Sequence, residues 1–141
     1  MKADSRNYWL KMVGAADKDV ADHWIEAHPK LLTEIRFPQR PSGIQRGDYL
    51  VYYSAGSQKL FSIVRAKGNG SEAAAVGAAG EGRWPYLLEV QTLLAIPQLA
   101  LAPHWSVLDL PSTMVQQKSH VEISLEKYRL AHAAMISRSA A

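Results

Sequence analysis

The chain has 141 residues, 48% of them hydrophobic and 21% charged, with a formal net charge of +3. That length suits one domain with its own core, and the absence of cysteine excludes disulfides, thiolate metal sites and cysteine nucleophiles. No run approaches the ~18 uninterrupted apolar residues of a membrane span, and the opening MKADSRNYWLKM lacks a secretion signal, so a cytoplasmic protein with no membrane partner is expected.

In chain order, residues 1–6 read as a disordered lead-in and residues 7–13 (NYWLKMV) as a first strand. Gly14 breaks it. Asp17 is placed to cap a helix through about Ala27, with Val20, Ala21, Trp24 and Ala27 on one stripe, and Pro29 ends it. Residues 31–43 carry Pro38 and Pro41 and read as irregular or edge-like. Gly47-Asp48 then opens a hairpin over residues 48–67, whose two β-branched and aromatic runs flank a short polar turn containing Gly56. Residues 71–82 are Ala/Gly-rich and read as a loop with at most one helical turn.

Residues 83–94 (RWPYLLEVQTLL) form the longest strand candidate. Trp84, Tyr86, Leu88, Val90 and Thr92 share one face, with Glu89 and Gln91 on the other. Pro97 stops it. Residues 99–110 suggest a short helix and turn, and residues 116–123 a short final strand. Ser124 caps a last helix with Leu125, Tyr128, Ala131, His132 and Met135 on one side, and residues 137–141 are tail. One domain over 7–136 is expected, an α+β fold built as a small, mostly antiparallel barrel with peripheral helices.

Motifs of common chemistries are missing. The five histidines are not spaced for a zinc helix, so no metal is expected. Gly77, Gly80 and Gly82 do not form a dinucleotide fingerprint, and neither a phosphate loop nor a nucleophile elbow is present. No cofactor and no catalytic residue is assigned.

Four ordered segments resemble the EVE domain family, part of the PUA-like superfamily and related to the YTH readers of methylated RNA. They are Tyr8-Trp9-Leu10 with Lys11; Arg46-Gly47-Asp48 through Tyr53-Ser54; residues 61–67; and Arg83-Trp84 through Leu94 with Ile96-Pro97 and Leu99. A fifth is Lys118-Ser119-His120-Val121-Glu122-Ile123 ahead of the helix bearing Tyr128. The resemblance implies a PUA-like mixed barrel that binds DNA or RNA noncatalytically, holding a flipped, modified base such as a methylated one in an aromatic-lined pocket.

A flipped base needs a flat wall, hydrogen bonds to its edge and positive charge for its phosphates. The candidates for base contact are Trp84, Tyr53 and Trp24 as walls, and Ser54, Ser119 and His120 at the edge. Lys11, Arg36, Arg40, Arg46 and Lys118 are the candidates for phosphate contact. Each has a structural alternative. Trp84 fits a core or interface position, Trp24 lies on an apolar stripe, Tyr53 suits a barrel filler, the serines suit strand ends and the arginines suit solvated surface. Trp9 and Trp105 are assigned to the core. Two other functions stay open: an enzyme acting on a nucleotide or nucleic acid, with Lys118, Ser119 and His120 as its cluster, and a small-molecule or protein interaction domain.

Overall fold

The structure is a computed structural model that describes residues 6–14, 20–75, 85–111, 113 and 119–139. Strand β1, Tyr8–Val13, is apolar on both faces apart from Lys11. Such a strand needs cover on both sides, and it has it. Tyr8 stacks on Tyr128 of the C-terminal helix α2, Leu125–Ser139, at 4.7 Å between ring centres. On the other face Trp9 and Lys11 point into the barrel, toward His120 and Phe37.

The hairpin is where the sequence places it, with β3 at Tyr49–Ser54 and β4 at Lys59–Ala66. The left-handed residue of its turn is Gln58 (φ 63°), not Gly56. The other strands are β2 Glu34–Phe37, β5 Ala74–Ala75, β6 Tyr86–Ala95 and β7 His120–Ile123. The sheet order is β2-β6-β4-β3-β1-β7, with β5 also on β6. β1 and β3 run parallel and the other pairs are antiparallel. The result is a mixed sheet curled into a half-barrel, an α+β fold. Its two terminal strands approach through side chains: the Phe37 ring of β2 meets the His120 ring of β7 edge-on at 5.1 Å.

Three expectations are corrected. The helix expected to run to Ala27 is only Trp24–Ala27 among the described residues (α1), followed by a 3-10 turn, Pro29–Leu32. Pro29 disfavours helical backbone at His28, and Trp24, fully buried, is fixed instead by its indole donating to the Ile96 carbonyl at 2.7 Å. Within residues 31–43 the edge-like reading holds, since Glu34–Phe37 is a strand at the end of the sheet. On α2 the inward stripe is Tyr128, Ala131 and Met135, while Leu125 and His132 face outward. That helix also continues through Ser137 and Arg138. Ser124 caps it as expected, its Oγ accepting from Lys127 N at 3.2 Å.

The Gly47-Asp48 pair is a structural clamp. Gly47 has a φ of 93°, which glycine adopts without strain. Asp48 is buried, and its carboxylate accepts from Asn7 N at 3.0 Å, Gln45 N at 2.9 Å and Trp9 Nε1 at 3.0 Å. It thereby fixes the start of β1 against the start of β3. Nearby, Gly70 N donates to Ile44 O at 2.6 Å, and a Cβ on Gly70 would overlap the Pro41 carbonyl. Backbone cannot retreat as a flexible side chain would, so Gly70→Ala is expected to destabilise the protein by about 3 kcal/mol. Gly68→Ala meets nothing within 4 Å and serves as control. Urea midpoints that move equally for both variants would show that the 41–44 and 70 segments are not held together.

Candidate ligand-binding cavity

The C-terminal half of β1 forms one wall of a cavity of about 700 Å³. Residues 11–14, Val20, residues 27–31 and residues 34–36 line it, so it lies between β1, the α1–3-10 segment and β2. The volume is that of an ordinary small-ligand site. Met12, Val13, Val20, Leu31 and Ile35 supply apolar surface. Lys11, Lys30 and Arg36 supply positive charge, and Glu34 is the one carboxylate among the described lining residues.

Lys11 is the unusual member. It stands on the barrel-facing side of an otherwise apolar strand and is 1% exposed. Its Nζ donates to the Met12 carbonyl at 2.8 Å and lies 4.7 Å from the Phe37 ring centre. Removing an ammonium from water disfavours its charged form, and burial pushes Lys11 down to about 7. Across the β1–β7 pairing stands His120. Burial, with the Lys11 charge second, pushes His120 down to about 4. His120 Nδ1 is 3.3 Å from Ser119 Oγ, and Ser119 O accepts from Met12 N at 2.9 Å.

The residues named from sequence therefore fall into two sets. Lys11 and Arg36 line the cavity, and His120 and Ser119 adjoin it through Lys11 and Met12. The others lie elsewhere. Tyr53 is buried against Trp105 at 5.7 Å and is not a lining residue. Ser54 closes the hairpin turn, with its Oγ 2.6 Å from Ser57 Oγ and accepting from Lys59 N at 3.0 Å. Trp24 is core. Arg40 donates to Ala73 O at 3.4 Å and covers the Tyr86 ring at 5.0 Å. Arg46 is exposed in the turn before β3, whose first residue, Tyr49, pairs with Tyr8 at the start of β1, whereas the cavity lies at the end of β1. Trp84 and Lys118 fall outside the described residues.

Lys30, Leu31, Glu34 and Ile35 were not singled out from sequence. The readable signal was in β1: when Tyr8, Leu10 and Met12 are apolar on one face and Trp9 and Val13 on the other, a lysine between them has to be buried. Among the described lining residues the only aromatic ring is the His28 imidazole, so the cavity walls there are aliphatic. No group of three or more His, Asp or Glu among the described residues could hold a metal. No described helix is long and apolar enough to cross a membrane.

No family model matches the chain, and no curated protein matches it. Solved structures do. The MmI1 YTH domain aligns with a TM-score of 0.63 over 96% of this chain and 99% of its own, at 7% identity. A hypothetical protein from Leishmania major aligns at 0.61 over 98% and 99%, at 11% identity. A protein from Agrobacterium tumefaciens aligns at 0.57 over 91% and 92%, at 17% identity. At these identities the likeness is one of fold: the chain is a curled α+β half-barrel similar to that of the YTH domain.

Proposed function

We propose that the chain is a noncatalytic, EVE-type nucleic-acid-binding module that accepts a single modified base, methylated for example, in the cavity at the end of β1. The observation that carries this reading is the cavity itself, large enough to admit a base, aliphatic in its described walls, and supplied with Lys11, Lys30 and Arg36 on a YTH-like fold. Aliphatic walls suit an added methyl, each buried carbon contributing about 0.8 kcal/mol, while the exposed Lys30 is available to a flanking phosphate. His120 supports the noncatalytic form of the reading, because an imidazole pushed down to about 4 is a weak base at neutral pH.

The test is titration of single-stranded DNA and RNA oligonucleotides that differ in one central base, modified or plain, at two salt concentrations. At least a tenfold preference for one base is expected. Leu31→Trp, which narrows the cavity from a half-buried wall position, is expected to lower that preference and leave the salt-dependent background. Equal, salt-governed binding of every oligonucleotide by the unaltered protein would reduce the interaction to counterion release and end the proposal.

A further inference from the structure

We infer that Lys11 is a reactive amine that captures an aldehyde carried on a planar ligand in the cavity, forming an imine. The inference goes beyond base reading and does not need it.

It begins with placement. Most lysines keep the ammonium in water by extending along the surface. Lys11 instead stands on the concave side of a strand covered on both faces, 1% exposed, as part of the wall of a cavity about 700 Å³ in volume. An amine desolvated in an apolar pocket, or set beside another cation, is the usual way a lysine becomes nucleophilic near neutral pH. The first condition holds here: Lys11 is 1% exposed with its Nζ against the Phe37 ring, and Met12, Val13 and Ile35 share its cavity lining. The low proton affinity of Lys11, at about 7, agrees with that placement and leaves a large fraction of the amine neutral at physiological pH.

Among the described residues, the titratable groups on the strands beside Lys11 are His120 of β7 and Tyr52 of β3, each paired across from Lys11, and the charged or titratable groups that share its cavity lining are Glu34 and Arg36 from β2 and His28 and Lys30 from the segment after α1. Burial raises Tyr52 and lowers His120, so both are neutral at pH 7, and Glu34 is the one described carboxylate in the lining to pass protons. The step balances without a co-reactant. The neutral Nζ attacks the aldehyde carbon and the carbonyl oxygen becomes a hydroxyl. That hydroxyl, which took its hydrogen from Nζ, then leaves as water with the one hydrogen still on the nitrogen, and a C=N bond remains. The aliphatic walls favour a formyl group on a flat, weakly polar ring. A formylated base and a free heteroaryl aldehyde both fit that description.

The experiment uses the whole chain with two probes, a single-stranded oligonucleotide bearing one formylpyrimidine and free pyridinecarboxaldehyde. Each is incubated at pH 7 with cyanoborohydride, which reduces the imine to a stable secondary amine, and adducts are mapped by peptide mass spectrometry. Lys11 is expected to be labelled at least tenfold more than any other lysine, half-maximally near pH 7, whereas surface lysines react appreciably only at higher pH. Lys11→Arg and Lys11→Met, checked for folding by circular dichroism, are expected to lose that adduct. Labelling by both probes, or by either alone, identifies the source of the aldehyde and upholds the inference. An unlabelled Lys11, or one labelled no more than the surface lysines, overturns it. Neither result bears on whether the cavity binds an unformylated base.

Discussion

Asp48→Ala is expected to cost on the order of 3–6 kcal/mol and to leave the protein largely unfolded at 37 °C. The substitution strands three donors at once, Trp9 Nε1 in a buried bond and Asn7 N and Gln45 N in part-buried ones, and a fully buried donor left unmade costs about 1–3 kcal/mol, a part-buried one less. Against a typical total stability of roughly 5–15 kcal/mol, that loss is severe. Asp48→Asn is the informative control. Turned so that its oxygen faces Gln45 N and Trp9 Nε1, the amide keeps two of the three bonds and sets its NH2 against Asn7 N. It is expected to lose about 1–3 kcal/mol. Urea denaturation of the two variants checks this. If Asp48→Ala and Asp48→Asn were equally mild, the carboxylate would not be the tie between β1 and β3.

The second large effect is one of slope. Lys11 titrates at 10.5 in an exposed chain and at about 7 in the folded protein. Between those values the unfolded chain holds a proton that the folded chain has released, so the stability of the unaltered protein rises with pH across that window. Below about pH 7 both states are protonated, and the cost of burying the ammonium is fully present. That cost is roughly 5 kcal/mol at about 1.4 kcal/mol per pH unit. Lys11→Met keeps the volume and removes the charge. The stability of the variant minus that of the parent is therefore expected to be greatest below pH 7 and to fall by roughly 5 kcal/mol on approaching pH 10.5. The orphaned Met12 carbonyl offsets part of the gain at every pH without changing the slope. His120 contributes in a separate window, between about 4 and its ordinary 6.5. Its stabilising share also grows as pH rises, and in Lys11→Met its titration moves up because a neighbouring positive charge is gone. Chemical denaturation at a series of pH values, with histidine NMR titration, measures both. Parallel stability curves for the parent and Lys11→Met would show that the amine is solvated.

The barrel was legible because its signals are local. Alternation and β-branching mark β3, β4 and β6, and the Ser124 cap marks α2. The short strands were harder to read. Glu34–Phe37 carries only four residues between proline-bearing stretches, and what makes it a strand is its pairing with β6, a partner about fifty positions away in sequence. The Asp48 clamp reads as a turn signal in sequence, whereas its three hydrogen bonds are made by tertiary structure. The cavity follows the same rule. Lys11 and Arg36 were named for their charge, but Lys30, Leu31, Glu34 and Ile35 join them only because the sheet curls until β2 faces β1. Tyr53 and Trp24, chosen as flat apolar surfaces, satisfy the same criterion by filling the interior. Sequence alone does not separate a ring that lines a site from a ring that packs a core.

The parallel register of β1 with β3 has a consequence for the order of assembly. A tight hairpin closes in microseconds, so β3 and β4 can pair as soon as both exist. β1 must wait for about forty residues to loop back before it docks, and its outer side stays open until the chain has reached His120–Ile123. During synthesis the strand that carries the buried amine is thus an unprotected template for foreign strands. Truncations that stop short of residue 120 are the forms that would aggregate.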